Sequence, residues 1–335
     1  MNKTTYFLLV VLSIVCLMGC SQDNIEELES SNSNISNNKW VYAQMKHHYL
    51  WSDDMPEEKD VDFEQNMDIF YQNIKSPRDR FSYYEGNPNY HPAKIPNIFG
   101  GKDVMLDSIY NYGSHKIGYV VYRSYGDAED ILPVLRKFNK ENITDLVLDL
   151  RYNGGGSLST AIFISSCIVP EETRGTDAQY LVYNATVTKE MFGSSDGHTT
   201  YKFYNTENLH GADLTLQSVY YLTGSSTASA SEATILMTRS HIPTTLIGGR
   251  TVGKGVGMYS ITSEEYPFTL VPITFRYYDA NMNTIPDEGL EPDIEIEDVY
   301  PKRQQDIGEI TEPLLKKAIE CITLNDSDED SDNTD

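Results

Sequence analysis

Apolar residues first recur at helical spacing near residue 40. Val41, Met45 and Tyr49 fall at i, i+4 and i+8, which predicts a helix from Lys39 to Trp51. Phe63, Met67, Phe70 and Ile74 repeat on one face behind Asp62 and Gln65, a capping-box-like start to a second helix that Pro77 ends. Over residues 85–115 the periodicity is lost. Glu85-Gly86-Asn87-Pro88, Pro92, Pro96 and Gly100-Gly101 are turn chemistry, with one short strand expected around Val104 to Leu106. From Ile117 onward apolar runs alternate with helical stretches. Strands are expected over 117–122, 144–150, 219–222 and 244–247, and helices over 128–138, 157–168 and 231–238. Pro133 weakens the first half of the helix over 128–138. Such alternation predicts an α/β core with crossover connections. Residues 171–216 read as a β-rich excursion or lid, Phe268 to Tyr278 as a late strand or hairpin arm, and Glu312 to Ile322 as a terminal helix.

The two ends carry other patterns. Lys3 precedes an apolar run from Phe7 to Met18, interrupted by Ser13, which is too short for a membrane span and is built like a signal segment. It closes in Leu17-Met18-Gly19-Cys20, which resembles the bacterial lipobox, where cleavage leaves Cys20 as the lipidated N-terminus. An ordinary signal peptide or a buried N-terminal helix is the plainer reading. On the lipobox reading residues 1–19 are a signal peptide, and 20–38 are the lipidated Cys20 and a disordered tether. That tether has four acids, no base and many Ser and Asn. Residues 325–335, with six acids and no apolar group, read as a disordered acidic tail. The expected location is therefore the bacterial cell envelope, with the membrane reached through lipid on Cys20 and the domain either periplasmic or surface-exposed.

Composition narrows the function classes. The 335 residues hold 26 Lys+Arg against 50 Asp+Glu, a net charge of −24. So acidic a chain lacks the clustered bases of a nucleic-acid binder, and none is expected as a partner. Its 11% aromatic content belongs to a folded protein. Of four cysteines, Cys16 leaves with the signal and Cys20 takes lipid. Cys167 and Cys321 sit in no spacing pattern and read as unpaired thiols. There is no HExxH and no CxxC, and the adjacent His47 and His48 cannot share a helix face, so no metal and no cofactor are expected.

Candidate chemistry lies in three segments. Gly248 to Lys254 fits GxxxxGK after a strand, but Gly255 stands where a phosphate loop needs Ser or Thr, and Val256 to Ile261 reads as strand. A nucleotide site is therefore not expected. Gly154-Gly155-Gly156 is either a tight turn or a set of backbone amides offered to an anion. In Thr227-Ala228-Ser229-Ala230-Ser231-Glu232 small residues let a strand turn sharply into a helix. A serine there is a nucleophile candidate, or else a plain N-cap, a role that Ser229 and Ser231 fill equally well. A nucleophilic serine needs a base. His241 lies a helix length away, whereas Lys254 follows the next strand among Val252, Val256 and Met258, with no acid in its local string. Burial there would lower its pKa toward the range a base needs.

With these residues assembled, the chain resembles the carboxy-terminal processing, or tail-specific, serine peptidase family. Trp40, Tyr49-Leu50-Trp51, Met55-Pro56 and Asp79-Arg80-Phe81-Ser82 resemble its N-terminal helical region. Ile117-Gly118-Tyr119 and Asp149 to Gly156 resemble the protease core. Thr227 to Glu232 resembles the nucleophile motif, Thr251 to Gly255 the general-base motif, and Glu288 to Asp293 a C-terminal signature. The resemblance implies a Clp-protease/crotonase-like α/β core over 116–324 with a small N-terminal helical subdomain over 39–84. It implies Ser229 as nucleophile and Lys254 as general base. The amide of Ala230, with one from Gly155 or Gly156, would form the oxyanion hole. The implied activity is that of a lipid-anchored serine endopeptidase acting on protein or peptide through an acyl-enzyme. There are two departures from the family. Met258 stands where members often carry a lysine-orienting Gln. Residues 85–115 are also too few for the PDZ domain that many members insert, since a domain needs about 50 residues, so a linker is expected in its place. These departures motivate the alternative, a non-catalytic lipoprotein using the same fold to bind a peptide or partner.

Overall fold

The computed structural model describes residues 34–86, 103–266, 268–297, 299–301 and 303–329. Its helices are α1 (34–48), α2 (Met67–Ile74), α3 (Ala128–Lys140), α4 (Leu158–Ile168), α5 (Ala185–Phe192), α6 (Ala230–Thr238) and α7 (Pro313–Glu329). The first six strands are β1 (Tyr83–Tyr84), β2 (Val104–Tyr112), β3 (His115–Tyr122), β4 (Asp145–Asp149), β5 (Asp177–Tyr183) and β6 (Thr199–Lys202). The remaining six are β7 (Ser218–Thr223), β8 (Thr244–Gly248), β9 (Val256–Met258), β10 (Leu270–Val271), β11 (Ile273–Asp279) and β12 (Ile294–Glu295). The chain divides into two compact units.

Among the described residues, the smaller unit joins residues 34–86 with Asn184–Val187 and the stretch from Met258 to Thr274. Val41, Met45 and Tyr49 are fully buried, as their spacing predicts. α1 begins at residue 34, so residues 34–38, read as tether, are helical. Asn38 is buried, its amide donating to the carbonyls of Phe63 (3.0 Å) and Gln65 (2.8 Å). Its side chain finds acceptors far along the chain, which a composition argument does not register. The second helix starts later than expected. Asp62 accepts from the Glu64 amide in a local turn, and Asn66 is the N-cap of α2, accepting from Asp68 N. An Asx side chain can serve either role, so the sequence pattern places the cap at Asp62, four residues before Asn66. β1 pairs antiparallel with β10, so this unit also holds strand residues from late in the chain.

The larger unit is the α/β core. Its six-stranded sheet runs β12-β8-β7-β4-β3-β2, parallel throughout except for β2, which pairs antiparallel with β3. The hairpin puts Val104–Tyr112 in the main sheet, where the sequence predicts a linker with only a short strand. An edge strand needs no continuous apolar run, and Asp107, Ser108 and Asn111 hide it. Pro133 sits inside α3 without ending it, and Ile131, Val134, Leu135 and Phe138 form its buried face. α4 and α6 are buried along nearly their whole length. The α7 residues Leu314, Leu315, Ala318, Ile319 and Ile322 cluster with Ile117, Tyr119, Val147, Tyr220, Leu222 and Ile247 of the sheet. α7 continues to Glu329, so the first part of the segment read as a disordered tail is helix, since a formed helix gains one bond for each residue it adds. A four-stranded sheet, β6-β5-β11-β9, takes its first two strands from the excursion over 171–216. Cys167 and Cys321 are both free thiols, the first buried.

The fold is thus α/β with a helical N-terminal part, as expected. Residues 1–33 with Cys20, residues 87–102 and residues 330–335 lie outside the described residues. Among the described residues no helix is long and apolar enough to cross a membrane.

Candidate active site

The ends of β4, β7 and β8 lie side by side, and each feeds one motif: the glycine triplet, the Ser229 turn and the Lys254 loop. Crevices outside the carboxyl ends of parallel strands are where open α/β sheets bind ligands. Ser229 is the N-cap of α6 and adopts φ 57 and ψ −116. Left-handed backbone at a non-glycine residue costs about 1–3 kcal/mol and persists only where neighbours enforce it.

Those neighbours can be named. Thr227 Oγ1 donates to Leu150 O (2.8 Å) and accepts from Gly224 N (3.0 Å). Asn153 O accepts from Ala228 N (3.1 Å) and from Ser231 Oγ (3.0 Å), so the loop after β4 holds the turn on both sides of Ser229. Asn153 Oδ1 also accepts from Gly155 N at 2.9 Å. Gly155 has φ +99, and a Cβ there would stand 2.7 Å from Ser229 Cβ and 2.9 Å from Ala230 N. Only glycine lets this backbone lie against the serine. Gly156, with φ +142, is pressed equally close to the Tyr125 carbonyl, where a Cβ would come within 2.3 Å.

The lysine loop is joined to the same turn. Val252 N donates to Thr227 O at 2.9 Å. Glu232, fully buried in the first turn of α6, accepts from Ser229 N (2.9 Å), Gly253 N (2.8 Å), Lys254 N (2.8 Å) and Thr251 Oγ1 (2.5 Å). One carboxylate thus ties the backbones of Ser229 and Lys254 together. On the carbonyl side the Tyr277 hydroxyl lies 2.5 Å from Lys254 O and 3.1 Å from Ser229 O. Burial pushes the Lys254 ammonium pKa down, while the charge of Glu232 pulls it up, with a net lowering. The local string around Lys254 has no acid, but the fold supplies one.

The C-terminal signature completes the loop. Thr251 N donates to Leu290 O (3.0 Å) and Leu290 N to Thr251 Oγ1 (2.7 Å). Gly253 (φ +80) and Gly289 (φ +94) lie against this crossing, where a Cβ on Gly289 would come within 2.0 Å of Thr251 O. His241 lies beyond α6 with its ring edge-on to Phe203 at 5.5 Å. Sequence reasoning names Ser229, Ala230, Gly155, Gly156 and Lys254. It leaves Glu232 without a role and misses Tyr277 and Asn153. For Glu232 a signal exists, since an acid three residues after an N-cap serine is the usual partner of that cap. For Tyr277 there is none.

Residues 116–296 match the profile of Peptidase family S41, and residues 36–83 match the Peptidase S41 N-terminal domain. The chain belongs to peptidase family S41. It is a serine peptidase by family, in line with the resemblance to carboxy-terminal processing peptidases. Similar solved structures include a Bacteroides fragilis NCTC 9343 protein assigned to the S41 proteases, with TM-score 0.70 and 20% identity over 85% of this chain and 97% of that one. A Parabacteroides merdae ATCC 43184 protein assigned to the peptidases has TM-score 0.53 and 17% identity over 86% and 96% of the two chains. A lipoprotein from Streptococcus agalactiae has TM-score 0.53 and 13% identity over 79% and 92%. At such identities the likeness is one of fold. The two family matches leave residues 84–115 between them, the stretch where a PDZ domain would be inserted and which here includes β2.

Proposed function

We propose that this S41 peptidase is a lipid-anchored endopeptidase that cleaves protein or peptide through a Ser229–Lys254 dyad. The observation that carries the reading is the shared clamp. Glu232 accepts from the amides of both Ser229 and Lys254, so the strained nucleophile turn and the half-buried lysine belong to one built site. In the reaction Ser229 Oγ attacks the substrate carbonyl carbon as its proton passes to neutral Lys254 Nζ. The C–O bond forms, the carbonyl electrons move onto oxygen, and collapse of that oxyanion breaks the C–N bond. The leaving amine takes the proton from Lys254. Water then attacks the acyl-enzyme, Lys254 taking a proton from water and returning it to Ser229. The oxyanion is assigned to the amides of Ala230 and Gly156 rather than Gly155, because the Gly155 N–H already donates to Asn153 Oδ1. Placement in the cell envelope rests on the lipobox-like Leu17 to Cys20.

The purified full chain is expected to hydrolyse fluorescein-labelled casein. Ser229→Ala and Lys254→Ala should each lower turnover about a thousandfold or more. Turnover retained in either variant, or no hydrolysis by the wild type, overturns the assignment.

A further inference from the structure

Tyr277 stands out among the groups that the reaction itself does not use. It lies on β11, in a different sheet from the strands that deliver Ser229 and Lys254, and only 2% of it is exposed. Its backbone N–H donates to Gly255 O at 3.2 Å, which fixes it to the lysine loop. Its hydroxyl has one hydrogen to give, and two carbonyls face it: Lys254 O at 2.5 Å and Ser229 O at 3.1 Å. Ser229 O already accepts from Ala233 N at 2.8 Å, whereas the shorter contact goes to the lysine carbonyl. The register of β11 sets the height of the ring, with Tyr277 opposite Leu181 of β5 and flanked by the inward-facing Phe275 and Asp279.

From this geometry, and resting on the Ser229–Lys254 reading, we propose that Tyr277 is a positioning residue that fixes the spacing of nucleophile and base by donating its one proton to the Lys254 carbonyl while its hydroxyl oxygen lies against the Ser229 carbonyl. Glu232 ties the same two residues through their amides, so Lys254 is held at its N–H by Glu232 and at its C=O by Tyr277, and the same carboxylate relates it to Ser229. Such a grip governs where Nζ lies relative to Oγ without touching either atom.

The test is Tyr277→Phe in the full chain, with fluorescein-labelled casein as substrate. A shift of the pair by a fraction of an ångström to about one ångström is expected to lower kcat about ten- to a hundredfold, with KM within twofold of wild type. Tyr221→Phe is the control. It removes another buried tyrosine hydroxyl, bonded to Thr238 Oγ1 at 2.7 Å away from the dyad, and should leave kcat unchanged while lowering Tm comparably. Replacing Tyr277 by p-aminophenylalanine restores a donor at the same ring position and is expected to recover kcat, including where the Phe variant folds poorly. Wild-type kcat in Tyr277→Phe, an equal kcat loss in Tyr221→Phe, or no recovery with the amino ring overturns the inference. If Ser229→Ala is inactive in the same assay, that failure belongs to Tyr277 alone. If Ser229→Ala still turns over, the dyad reading and the inference fall together.

Discussion

Lys254 shows how two opposing influences are weighed at one residue. Removal from water disfavours the ammonium, the carboxylate of Glu232 favours it, and burial is the larger effect. Activity should therefore rise with pH as Lys254 loses its proton, with the midpoint of the acid limb below that of an ordinary lysine. A casein pH–rate profile checks this, and a limb at or above the ordinary lysine range would count against it. The stability consequence has a definite sign. Between the lowered folded pKa and the unfolded one, the unfolded chain holds more protons, so this group makes stability rise with pH in that window. Lys254→Met should remove this contribution, which is read as the difference between the Tm-against-pH slopes of the two proteins. The identities of Ser229 and Lys254 were legible because their motifs are local strings. The orienting groups were not, because the Tyr277 contacts span 48 and 23 residues and no local pattern encodes them.

Among the elements, α7 is fixed to the loop after β4 by charge as well as by its apolar face. Arg151 is fully buried, as are its partners Asp149 (2.7 Å) and Glu312 (2.5 Å), and its Nη1 also donates to Val299 O. Tyr119 OH closes the cluster on Asp149 at 2.9 Å. The net worth of such a pair is small, but removing one partner strands the other charge without water. Arg151→Met is expected to cost about 3–5 kcal/mol for that reason, because it leaves the buried carboxylates of Asp149 and Glu312 with no cation. The readout is the urea midpoint by far-ultraviolet circular dichroism, since Trp40 and Trp51 both lie in the small unit. A shift within error of wild type would sink the prediction. Arg151 begins the run to Asn153 and the glycine triplet, so the same cluster anchors the loop that supports Ser229. The buried parallel strands were easy to read from their continuous apolar runs. β2 and the true start of α2 were not, because an edge strand tolerates polar residues and an Asx side chain serves turn and cap alike.

For the whole molecule, the large acid surplus does not bar a buried, electrostatically organised site, because four of the acids lie in residues 20–38 and six in residues 325–335. The proposed lipid anchor on Cys20 is tested at this scale. Cys20→Ser is expected to move the protein from the membrane to the soluble fraction and from the detergent-rich to the aqueous phase in Triton X-114 partitioning. Unchanged partitioning would remove the lipid anchor from the proposal.

The α/β class, the order of the core elements and the two motifs that hold Ser229 and Lys254 are legible along the chain. Periodicity and short motifs are local properties that the fold must respect. Contacts between distant segments settle the rest: a hairpin strand completes the main sheet, Glu232 lies beside Lys254, and Tyr277 faces the carbonyls of both Ser229 and Lys254. Hydrogen bonds and desolvation depend on which surfaces are brought together, and chain spacing does not specify that.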